Sequence, residues 1–83
     1  MVLVSHDTAA RATYVKVSSE PVSRTVHVSD LVAVDIDVKE QPVGVEFIMR
    51  PALITDDVID RVVARFPGLE VLKKTADVWL PSV

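Results

Sequence analysis

The sequence predicts an α+β fold: an antiparallel β-meander of about five strands, with one C-terminal α-helix at about 56–66 packed on one face. Three observations carry that expectation. Of the 83 residues, 18 are valine, whose branched Cβ is stiff and packs well on a pleated surface. Over residues 2–49 the apolar residues fall in short runs, joined by links too short for parallel crossovers. After Pro51 the apolar spacing changes to that of a helix.

Taken in order, Met1 to Ser5 reads as a short first strand and "HDTAAR" as a loop or turn. Ala12 to Val17 forms the second strand, and the Ser18 to Pro21 step is turn chemistry. Strands follow at Val22 to Val28, Val32 to Val38 and Val43 to Met49. In "TDDVIDRVVARFPG", Val58, Ile59, Val62, Val63 and Phe66 mark one apolar stripe. Thr55 is placed to cap the helix, Asp56 and Asp57 suit its positive end, Arg65 suits its negative end, and Pro67-Gly68 stops it. Asp57 and Arg61 have the spacing of a surface ion pair. The tail, 67–83, is open between short strands carrying Leu69, Val71, Val78 and Leu80 and a pattern broken by Leu72 and Trp79. The chain is thus expected to be one domain over 1–83: sheet at 2–49, helix at 55–66, then the tail.

The composition is 49% hydrophobic. A domain of this size cannot bury all of that within one protomer, so self-association is expected. With net charge −3 and 9 scattered basic residues, no surface is offered to phosphates, which argues against nucleic-acid binding. The absence of cysteine excludes a disulfide framework, a thiolate nucleophile and a Cys-based zinc site, and suits a reducing cytosol. The opening Met1 to Asp7 has no basic leader region and too short an apolar run for a signal peptide or anchor. The expected location is cytoplasmic, with no membrane contact.

Asp35, Asp37 and Glu46 are the residues that most resemble a site. A hairpin turning at Lys39 to Pro42 places Val38 opposite Val43, Ile36 opposite Val45, Val34 opposite Phe47 and Val32 opposite Met49, all on one apolar face. The same register sets Asp35 opposite Glu46, Asp37 opposite Gly44 and Ala33 opposite Ile48. Like charges so opposed, roughly 5 Å apart at Cβ, destabilise a sheet and call for water, a cation or Arg24 to compensate. Arg24 shares the parity of Val22, Val26 and Val28. A three-residue link to the next strand turns these valines to the core and leaves Arg24 inward or at a rim, whereas a two-residue turn brings Arg24 to the carboxylates. The three-residue link is preferred, although it asks Leu31 or a neighbour for a conformation better suited to glycine. A solvated or salt-bridged sheet face is the first reading of the carboxylates, and a partner-binding patch the second. The sharper one is Mg²⁺ or Ca²⁺ binding, or an acid/base centre.

Other residues carry less. Adjacent Ser5-His6-Asp7 cannot form a nucleophile relay, and His6 is expected in an exposed turn. His27 is expected on the solvent side of its strand. Tyr14 and Trp79 fit core or interface anchors, with Trp79 also a candidate partner contact.

"VLVSHDTAARATYVKV" followed by "VSRTVHVSDLVAVDIDVKEQPVGVEFI" resembles the small bacterial and phage domain known as domain of unknown function 2283. That family runs from a Tyr-containing strand through an acidic turn to a Val-Asp-hydrophobic-Asp strand and a Gly-hydrophobic-Glu strand. The resemblance covers about residues 2–49, and Asp35, Asp37, Gly44 and Glu46 carry most of it. Leu31 stands where the family has the glycine of an Asp-Gly turn, and Gln41-Pro42 replaces a glycine-containing turn. The resemblance implies no established activity. Some members lie beside small toxin-like proteins, which implies an antitoxin-like or regulatory binding role.

The expectation for function is therefore a small cytosolic interaction module without catalytic activity or cofactor, forming a homo-oligomer or binding a small protein partner. Leu31, Ala33, Ile48 and Trp79 are the candidate contact residues. The alternative is a divalent-cation-binding or metal-dependent hydrolase domain using Asp35, Asp37 and Glu46.

Overall fold

The computed structural model describes residues 2–76; the expectations for Val78, Trp79 and Leu80 fall outside the described residues. Five strands, β1 (Leu3–Asp7), β2 (Ala12–Lys16), β3 (Arg24–Ser29), β4 (Val32–Ile36) and β5 (Pro42–Phe47), form one sheet. Two helices follow, α1 (Asp56–Arg65) and the single turn α2 (Val71–Lys74), each preceded by a 3₁₀ turn, at Pro51–Leu53 and Pro67–Leu69. The fold is α+β with an antiparallel sheet, as expected, but with two helices in place of one. Among the described residues, no helix is long and apolar enough to cross a membrane.

The strand order is β1-β2-β5-β4-β3, with every pairing antiparallel. Strands β3, β4 and β5 are a meander, but β5 then returns to lie beside β2, closing a Greek key. Residues 17–23 make this possible by running across the ends of β5 and β4. The amides of Val17 and Ser18 both donate to the Val43 carbonyl (2.8 and 3.1 Å), and Ser23 N–H donates to the Ile36 carbonyl (2.7 Å). The order suits the side chains. Strand β3 alternates its valines with Arg24, Thr25, His27 and Ser29 and stays largely exposed, as an edge strand can. Strands β4 and β5, buried at most positions, take the interior.

The β4–β5 register differs from the expected one by two residues: Val32 pairs with Phe47, Val34 with Val45 and Asp35 with Gly44. A slip of two preserves the faces, so Val32, Val34, Ile36, Val45 and Phe47 still form the core. Asp37 is the cause. Its Oδ1 accepts from the amides of Lys39 (2.8 Å) and Gln41 (2.9 Å), and its own N–H donates to the Gln41 carbonyl (2.9 Å). This side-chain-stabilised turn begins two residues earlier than counting from Pro42 suggests. Glu40 completes it in the left-handed region (φ 62°), and Val38 leaves the ladder for solvent, 82% exposed.

Between β3 and β4 the preferred register holds from Arg24↔Ile36 to His27↔Ala33 and then shifts, so that Ser29 pairs with Val32. Val28 is the extra residue of a bulge. The bulge relieves Leu31 of the glycine-like conformation; among the described non-glycine residues only Arg11 and Glu40 have positive φ.

Thr55 caps α1 as expected, its Oγ1 accepting from Val58 N–H at 3.4 Å. Ile59 and Val62 are buried, with Val58, Val63 and Phe66 packed beside them. Leu69 and Leu72, wholly buried, stand three apart on the second 3₁₀ turn and α2. They pack as helical neighbours, not as the strand residues that Leu69 and Val71 suggested. Among the described residues the ion pair on the helices is Asp60 with Lys73 (2.9 Å), joining α1 to α2, in place of the expected Asp57 with Arg61. All of this covers one sheet face. The other face is open.

Candidate functional site on the open sheet face

The pairings set the open face out in rows. One row across the strands reads Leu3, Lys16, Gly44, Asp35, Thr25, and the next reads Ser5, Tyr14, Glu46, Ala33, His27. Tyr14 leaves its own row. Its side chain crosses β5 above Gly44, where a Cβ would overlap the Tyr14 Oη, Cζ and Cε2, all closer than 3.0 Å. The phenol then donates to Asp35 Oδ2 at 2.8 Å. On the far side, Thr25 Oγ1 donates to Asp35 Oδ1 at 2.6 Å. A polar lacing thus runs from β2 over β5 to β4 and on to β3.

This answers what compensates Asp35. Each of its oxygens accepts a hydroxyl hydrogen bond, a pairing favoured by the negative charge of the acceptor. Arg24 takes no part. It lies opposite Ile36 and pairs with Glu40 (Nη2 to Oε1, 2.6 Å), with both side chains more than half exposed. Burial, first, and then the bond to Asp35 and the charges of Asp35 and Glu46 push the Tyr14 phenol well above its ordinary pKa. Tyr14 is therefore a permanent donor at neutral pH, suited to holding a carboxylate in place and not to proton transfer.

The three carboxylates have separate places. Asp35 lies opposite Gly44 and Glu46 opposite Ala33, which corrects the expected facing of Asp35 and Glu46. Asp37 is buried in the β4–β5 turn, its Oδ1 committed to two amides. Among the described residues no group of three or more His, Cys, Asp or Glu side chains is placed to hold a metal ion. Glu46 alone is unclaimed, making no side-chain hydrogen bond or ion pair among the described residues.

The candidate contact residues also divide. Leu31 and Ile48 are 50% and 37% exposed, and Ile48 N–H donates to the Leu31 carbonyl at 2.7 Å, which holds the two as neighbours beyond the end of the β4–β5 ladder. Ala33 is buried, small enough to be covered by its neighbours in the row, and offers no contact surface. Trp79 lies outside the described residues. His27 is exposed on the open face, as expected. His6 is exposed too, but within β1 and not in a turn, its Nδ1 at 3.1 Å from the Oγ1 of buried Thr13. Strand alternation sends Ser5 and Asp7 to the face opposite His6, so no relay forms.

The Tyr14–Asp35 bond is the feature that sequence reasoning missed. Its signal was Gly44, since a glycine inside a strand marks a place where another group comes close. No family model, curated protein or solved structure matches the chain.

Proposed function

We propose that the protein is a small cytosolic interaction module without catalytic activity, which self-associates through the surface carrying Leu31 and Ile48. One observation supports this most: two large aliphatic residues, half and more than a third exposed, are held side by side at the end of the open face. Side chains of this kind gain by being removed from water, at roughly 25 cal/mol per Å². The most chemically suggestive groups, Asp35 and Asp37, have internal partners, which supports a structural role for them. A non-catalytic binding module also agrees with the antitoxin-like role that the family resemblance implies.

Sedimentation velocity over a micromolar concentration series tests the reading. The natural chain is expected to sediment as a dimer or larger species, and the double variant Leu31→Asp/Ile48→Asp as a folded monomer whose melting temperature no longer depends on concentration. A natural chain that stays monomeric throughout contradicts it.

A further inference from the structure

We draw no further inference here: the strongest candidate, the row of Glu46, Ala33 and His27 next to Leu31 and Ile48 at the end of the open sheet face, adjoins the self-association surface already described, and nothing in the structure shows what covers it.

Discussion

Gly44 matters for the space it leaves and not for its backbone conformation, since its φ is not positive. Gly44→Ala forces the Tyr14 ring off its path to Asp35. Overpacking of this kind costs about 1–3 kcal/mol, measurable by urea denaturation, and most of the loss should disappear in a Tyr14→Ala background, where the collision is gone. Tyr14→Phe, which removes only the donor, is expected to cost about 1–2 kcal/mol. The raised phenol pKa adds a pH signature. Its folded value lies above the unfolded 10.0, so the folded state holds the proton longer. The stabilisation is present in full below pH 10 and falls as pH rises beyond it. Tyr14→Phe should flatten that alkaline decline in a thermal-melt series; an identical decline would separate the phenol from it. The apolar faces of β4 and β5 were legible in the sequence, apart from Val38, which the early turn sends to solvent. The partner of Asp35 was not, because Tyr14 lies 21 residues away on a strand brought close only by the non-local β2–β5 pairing.

Among the elements, α1 was the most legible, since its stripe, its Thr55 cap and its Pro-Gly stop all act within one turn of chain. Thr55→Ala should lower stability by about 1 kcal/mol. The β4–β5 turn was misplaced for an equally local reason. Counting back from Pro42 overlooked Asp37, whose side chain can stand in for a backbone acceptor and start the turn early. Asp37→Ala removes bonds to Lys39 and Gln41, leaving backbone amides of a part-buried turn without a partner. Glu40, held at φ 62°, is the opposite case. Replacing it by glycine relieves a left-handed penalty of about 1–2 kcal/mol and loses only the exposed pair with Arg24, a kind worth about 0–1 kcal/mol. Glu40→Gly should therefore raise the melting temperature while Asp37→Ala lowers it, and calorimetry on the two variants reads both signs.

For the molecule as a whole, the α+β class followed from composition and period, but the strand order did not. Nothing local distinguishes a fifth strand that ends a meander from one that returns to β2. The choice is made by burial: β5 brings Val45 and Phe47 against Val15 and Thr13, all at or near zero exposure. The tail was obscure for a related reason, since Leu69 and Leu72 show their helical spacing only once the sheet face they cover is known. Two helical segments cover one sheet face, and polar side chains occupy much of the other. Among the described residues the large apolar side chains left exposed are Leu3, Val22, Leu31, Val38, Ile48 and Leu53, and of these Leu31 and Ile48 are held together by a backbone hydrogen bond. Amide hydrogen exchange compared between dilute and concentrated protein tests that surface most directly. Added protection at high concentration is expected in residues 30–33 and 46–49; protection confined to the edge strands β1 or β3, or none at all, would contradict self-association through Leu31 and Ile48.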